Sequence, residues 1–319
     1  MIKSFPVFKT AFVLACLFAA LSCVPDSQKE KEKAERDSLL LKQKEDSLIA
    51  LKTDWKAQEL NDSVESIRLV TYKALEKFGE IQKGDRVRDN SEDMDYYKVF
   101  NNRGNIVERY EYQPDGSLDR KTVWKYNKKG QKTEALVVLS DKFYKSSSLE
   151  TKNLYKYDTR MNITEQSIYE SGGKRDGAFT GKMIFKFDSS DKLTEKNIYF
   201  AEDKLYTKTK FVYDARRNKT EENIYNTEGA LIRKIQYKYN EQGQLTESGE
   251  YNPDGILFSK TKFKYNTQGQ LECEHTYSTD GNLDTKCLYE YDEKGNWTKA
   301  VKYKNDIPQY IRERIIEYF

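Results

Sequence analysis

A 26-residue repeat restricts this chain more than any other feature. The second aromatic of an aromatic-x-aromatic-[Asn/Asp] unit falls at Tyr126, Tyr157, Phe187, Tyr213, Tyr239, Tyr265 and Tyr291, with Phe100 in step one period before Tyr126. Of the seven intervals between these framework positions, five are 26 residues. The other two, 126 to 157 and 157 to 187, are longer and place insertions within an irregular stretch at 140–181. Self-similarity at a fixed period marks an array of stacked supersecondary units.

One unit reads Tyr239-Asn240-Glu241-Gln242-Gly243, a run from Gln244 to Tyr251, the turn Asn252-Pro253-Asp254-Gly255, and a run from Ile256 to Tyr265. Pro presets φ and Gly accepts positive φ at such turns, so each unit is a β-hairpin with its connection. Leu257, Ser259, Thr261, Phe263 and Tyr265 share one face, and Lys260, Lys262 and Lys264 share the other. A lone hairpin is marginal, so the array must stabilise by stacking its neighbours. Glu247, Gly249, Ser259 and Thr261 interrupt the apolar face. The pattern therefore predicts an all-β domain over 63–319: a long antiparallel meander of about 16–18 strands in a twisted or curled sheet. Low hydropathy alone would read as disorder, but 24 Tyr, 15 Phe and 3 Trp exclude it. With 55 basic and 52 acidic residues the charge nearly cancels, which argues against a nucleic-acid surface.

The N-terminal segment reads as an address. Lys3 and Lys9 precede the apolar run Ala11 to Leu21, and small residues lead to Cys23, so 1–22 forms a signal peptide. Ala19-Ala20-Leu21-Ser22-Cys23 resembles a lipobox, with Ala20 where Leu is preferred. Cys23 is thus the expected lipidation site and the membrane the expected partner, through a lipid rather than a spanning helix. Residues 23–62 are Lys/Glu-rich and predict a helical tether, with Ala34, Leu41, Leu48 and Trp55 as a weak coiled-coil heptad.

Within the repeats, Tyr291-Asp292-Glu293-Lys294-Gly295-Asn296 is similar to the Tyr-Asp core of RHS/YD repeats, and Tyr265 to Leu271 is a near match. Gly295 to Lys299 through Ile311 to Tyr318 resembles the C-terminal cap of RHS-like repeat lipoproteins of Bacteroidota. The resemblance covers 64–319. It implies a β-repeat architecture and a loose association with surface or carbohydrate binding, and does not extend to toxin delivery. Asp37-Ser38-Leu39, Asp46-Ser47-Leu48 and Asp62-Ser63-Val64 resemble acceptors of the O-glycosylation system of that phylum, at Ser38, Ser47 and Ser63. Asp-Ser pairs also serve as helix caps.

Chemistry offers few candidates. Cys273 and Cys287 flank the turn at Asp280 symmetrically and could form a disulfide in an oxidising compartment; two buried free thiols are the alternative. A metal site with His275 lacks the usual ligand spacing, and no cofactor is expected. His275 is the sole histidine, leaving no evident acid–base machinery. A membrane-spanning barrel would need an apolar outward band, which the Tyr-dominated, interrupted face does not supply. The sequence therefore predicts a non-enzymatic envelope or cell-surface lipoprotein. Its roles would be structural or in protein interaction, with carbohydrate binding on the Tyr face as the alternative.

Overall fold

The structure, a computed structural model, describes residues 34, 36–40, 52–87, 95–140, 150–171 and 176–319. The signal segment, Cys23 and Ser47 lie outside the described residues. The chain divides into two compact units, Met1–Lys52 and Thr53–Phe319. In the first, residues 36–40 are helical and exposed, Ser38 among them.

The second unit is built from one turn used repeatedly. At Asn266, the side-chain Oδ1 accepts from the Gln268 and Gln270 amides at 3.0 and 2.9 Å. The Asn266 amide donates to Gln270 O, and Gly269 N donates back to Asn266 O. Gly269 holds φ at +80°, a conformation that side chains with a Cβ rarely adopt. Asn or Asp after each framework aromatic is thus the residue that closes the turn. Beside each turn the register shifts by one residue, as at Lys264/Tyr265 and Glu250/Tyr251. Such bulges add twist and curvature to a sheet.

The strands are β1 (Val64–Lys77), β2 (Glu80–Arg86), β3 (Asp95–Phe100), β4 (Ile106–Tyr112), β5 (Leu118–Tyr126), β6 (Lys132–Leu139) and β7 (Glu150–Tyr157). They continue with β8 (Ile163–Ser171), β9 (Phe179–Phe187), β10 (Leu193–Phe200), β11 (Lys204–Tyr213), β12 (Lys219–Tyr225) and β13 (Leu231–Tyr239). The last are β14 (Leu245–Tyr251), β15 (Leu257–Tyr265), β16 (Leu271–Tyr277), β17 (Leu283–Tyr291), β18 (Trp297–Lys304) and β19 (Ile307–Tyr318). From β3 to β19 each strand pairs antiparallel with the next.

The array closes on itself. β1 pairs with β19, from Val64↔Tyr318 to Lys73↔Tyr310, and its other edge pairs with β3, from Ser66↔Val99 to Leu69↔Tyr96. With β1 inserted between first and last, the result is a closed antiparallel barrel of 18 strands. β2 folds back on the far half of β1 along the same edge as β3. The open, curled sheet predicted from sequence is therefore corrected to a barrel. An open sheet of this size would leave two unpaired edges, which closure removes.

The helical stalk is corrected as well. Residues 53–62, placed at its end by the sequence reading, hold one helical turn, α1 (Asp54–Ala57), and pack inside the barrel. This strap bonds to the 101–106 turn and to β6 on one side and to the turn between β17 and β18 on the other. A ten-residue segment can reach both sets only from within the wall. The strap meets Phe100, Trp124, Trp297, Ile316 and Tyr318, so the face bearing the framework aromatics is the lumen. The Lys/Glu face points outward.

On the lumenal face the framework tyrosines latch neighbouring strands. Tyr213, Tyr239, Tyr265 and Tyr291 each donate a hydroxyl hydrogen bond to the carbonyl twenty residues earlier, at 2.7–2.9 Å. Tyr126 does the same to Ile106. These carbonyls lie just beyond the last paired residues of the ladder, as Leu193 lies beyond Glu195↔Lys210. Phe100 and Phe187 keep the ring without the latch. A hydrogen bond of this kind contributes about 1 kcal/mol net. Tyr239→Phe is expected to lower unfolding stability by about 1 kcal/mol with little change in denaturant slope, read from urea titrations.

Candidate functional site

The strap is held at both ends. Asp54 Oδ2 accepts from the Ile106 amide at 2.9 Å and its Oδ1 pairs with Lys132 Nζ at 2.8 Å. Trp55 Nε1 donates to Val64 O at 2.9 Å, and its amide donates to Gly104 O. A Cβ on Gly104 would sit 2.5 Å from the Trp55 ring, so this turn needs glycine twice, for space and for its φ of +79°. At the far end Asn61 N donates to Asn296 Oδ1 at 2.8 Å, and Asn296 Nδ2 returns a bond to Asn61 O.

Between strap residues 58–61 and the wall of β15–β19 lies a cavity of about 350 Å³. Tyr265, Tyr289, Tyr291 and Trp297 supply aromatic walls, and Glu274 and Arg314 supply charge. The Arg314 guanidinium stacks 3.6 Å from the Trp297 ring centroid. Glu274 faces Cys287 across the sheet, and the Tyr289 hydroxyl reaches both. Burial pushes the Glu274 carboxyl above its ordinary range, opposed by the Tyr289 hydrogen bond and by Arg312 and Lys302. Burial likewise pushes Cys287 up to about 11 and Tyr291 up to about 12. Cys287 is thus held as a thiol at neutral pH, the wrong form for a nucleophile. The cavity offers stacking faces and hydrogen-bonding groups, a binding chemistry.

The cavity belongs to a longer aromatic lining. The odd strands β5 to β17 each place two aromatics on the lumenal face beside the turn, as Phe211 and Tyr213 or Phe263 and Tyr265. All fourteen of these rings are half-buried.

Other sequence-derived sites land differently. Cys273 lies opposite Leu288, and Cys287 opposite Glu274. The bulge at Thr276/Tyr277 shifts the register by one, so the two cysteines face opposite sides of the wall as free thiols, not a disulfide. Cys273 faces outward, 3.2 Å from His275 Nε2, so the three side chains considered for a metal do not converge. Ser63 is bonded to Asp62 Oδ1 beside the start of β1. The irregular middle contributes β7, β8 and β9 as wall strands, with 141–149 and 172–175 outside the described residues. The strap is masked in the sequence because Trp55 fits a heptad. Leu60, five residues on, falls outside that spacing and marks where the helix pattern ends.

No family model matches this chain, and no curated protein does. Solved structures similar to it include a porin-like protein from Bacteroides uniformis, at TM-score 0.42 and 9% identity, covering 81% of this chain and 99% of that one. The Photorhabdus luminescens Tc holotoxin pore aligns at TM-score 0.34 and 11% identity, over 76% of this chain and 14% of that one. A DUF1329 family protein from Desulfovibrio piger aligns at 0.24 and 8% identity, over 86% and 92%. None reaches 0.5, and the functional reading rests on the chain's own residues.

A raised Glu274 means that the unfolded chain ionises first as pH rises above the ordinary carboxylate range, so stability falls through that window. Glu274→Gln is expected to raise the melting temperature at pH 7 and leave it unchanged at pH 4, a difference read from paired thermal melts.

Proposed function

We infer that this chain is a non-enzymatic lipoprotein of the bacterial envelope, whose barrel is a scaffold standing in water and tethered to the membrane through Cys23. The observation that supports this most is the outer wall. Lys125–Glu134, Lys156–Glu165, Lys186–Glu195, Lys238–Glu247 and Lys299–Glu290 form ion pairs at 2.7–2.9 Å, nine residues apart each time. Such exposed pairs contribute little to stability. In a bilayer, however, a lysine on the lipid face costs about 2–4 kcal/mol at the midplane. The exposed apolar residues Leu154, Val212 and Leu288 are interspersed with these charges, and Tyr206, Ile232 and Phe258 form a short row on β11, β13 and β15 away from the Lys–Glu pairs. Kinship with RHS/YD-repeat lipoproteins belongs to the same reading, on the Tyr-Asp turn units and the closing Gly-Asn-Trp stretch.

A second reading, carbohydrate binding, is favoured by the lumenal cavity, where aromatic faces meet Glu274 and Arg314. Closure moves this reading from an open Tyr surface to the barrel interior.

Fractionation tests the first reading. In a host that processes lipoproteins, the wild-type chain is expected to incorporate a palmitate analogue and resist carbonate extraction. Cys23→Ala is expected to lose the label and become soluble. A Cys23→Ala chain that still resists extraction would show the wall itself embedded.

A further inference from the structure

The rim opposite the framework turns differs from the rest of the exterior. Its described turns are at 78–79, 113–117, 201–203, 226–230, 252–256, 278–282 and 305–306. Among the described residues of the barrel, fourteen large apolar side chains are exposed, and nine of them lie in these turns or within three residues of one. Only Val212 and Phe319 lie as near the framework rim. Phe78 is the extreme case, fully exposed at a φ of +55° in the two-residue turn between β1 and β2. Such a position is ordinarily filled by Asn, Asp or Gly, and a bulky residue rarely adopts that conformation.

The hairpins β10–β11, β12–β13 and β14–β15 each carry a bulge beside this rim, and the extra residue is Tyr206, Ile232 or Phe258. The same position holds Asp119 on β5 and Asp284 on β17, so bulge geometry does not require an apolar residue there. Phe200 packs on Tyr206 with ring centroids 4.5 Å apart, and Ile256 stands in the turn before Phe258. Beyond the polar 278–282 turn the series resumes with Ile307 and Phe78. The tips thus follow the mouth of the barrel instead of running down one face of the wall. Charges between them are paired: Lys204 with Glu202, Lys182 with Asp203, Lys286 with Asp306 and Lys304 with Asp284.

We propose that this rim rests on a bilayer surface, with Phe78, Phe200, Tyr206, Ile232, Ile256 and Phe258 set among the lipid headgroups. Aromatic and aliphatic side chains at that depth gain burial while the charged wall stays in water. A ring of protruding tips suits a planar surface that yields, whereas a second copy or another rigid partner would need a hollow for each tip. Because the neighbouring charges are paired, the contact needs no anionic lipid. The chain outside the barrel is long enough to allow it. The strap enters at the framework rim, where the Trp55 amide donates to Gly104 O. The 30 residues from Cys23 to Lys52 cover about 45 Å as a helix and more when extended. A wall strand of eight or nine residues spans about 30 Å. A lipid on Cys23 and the opposite rim can therefore share one bilayer. The proposal rests on the anchored-scaffold reading and adds a second, peripheral contact. Carbonate strips such a contact, so extraction of Cys23→Ala still reads the wall by itself.

The test places the full-length lipidated chain, with Cys273 and Cys287 replaced by serine, in phosphatidylcholine vesicles containing a headgroup-nitroxide lipid. A fluorophore at Asp254→Cys reads the apolar rim and one at Gln242→Cys the framework rim, both exposed positions. The label at 254 is expected to be quenched about threefold more than the label at 242, equally at low and high salt. Ile232→Asp with Phe258→Asp should bring it down to the level at 242 while thermal melts stay unchanged. Equal quenching at the two sites, stronger quenching at 242, or no response to the double variant would overturn the proposal. So would energy transfer between labels at 254 in detergent that the double variant abolishes, since the rim would then belong to a second copy. Flotation of the vesicles reports the anchor and quenching reports the rim, so the two readings fail separately.

Discussion

Everything in this structure depends on how a long sheet disposes of its two edges. A meander of hairpins generates them unavoidably, and an unpaired edge strand recruits other chains. Here β1 occupies both edges at once. The five largest fully buried side chains, Ile67, Leu69, Ile311, Val64 and Thr71, all lie on β1 or its β19 partner. The seam is thus the best-packed part of a barrel whose other wall strands are half-buried and latched by tyrosine hydroxyls. The strap adds to the same place, since Trp55 and Leu60 pack on Val64, Ile67 and Leu69.

The repeating part was legible because its causes are local. Period, turn positions and the two faces follow from Asn/Asp–Gly turn chemistry and alternation, which operate over a few residues. Closure was not legible, because it rests on the pairing of Val64–Lys73 with Tyr310–Tyr318, two segments at opposite ends of the repeat domain. No local pattern in β1 announces that both its edges will be filled. The cysteine pair failed for a smaller reason. Counting symmetrically about Asp280 ignores the bulge, and one residue of shift turns Cys287 into the lumen. Of the candidate cavity, the aromatic walls were visible as framework residues. Glu274 gained its meaning only once its face became the interior.

Closure also reassigns the two faces. The Tyr-rich side, which on an open sheet would be a concave surface, lines a lumen partly occupied by the strap. The charged side becomes the whole exterior. An exterior built from Lys–Glu pairs is suited to water, and a half-buried aromatic interior to small ligands. The functional readings follow from this inversion rather than from any single residue.

Closure is measured most directly by the distance between spin labels at Tyr97 and Ile315, in a chain whose Cys273 and Cys287 are replaced by serine. Both positions are register partners of Arg68, one on each side of β1. A closed barrel places their Cα atoms about 10 Å apart, two strand spacings, and predicts one short label–label distance. An open array would put them at opposite ends of the sheet, and a distribution several times longer would contradict the account.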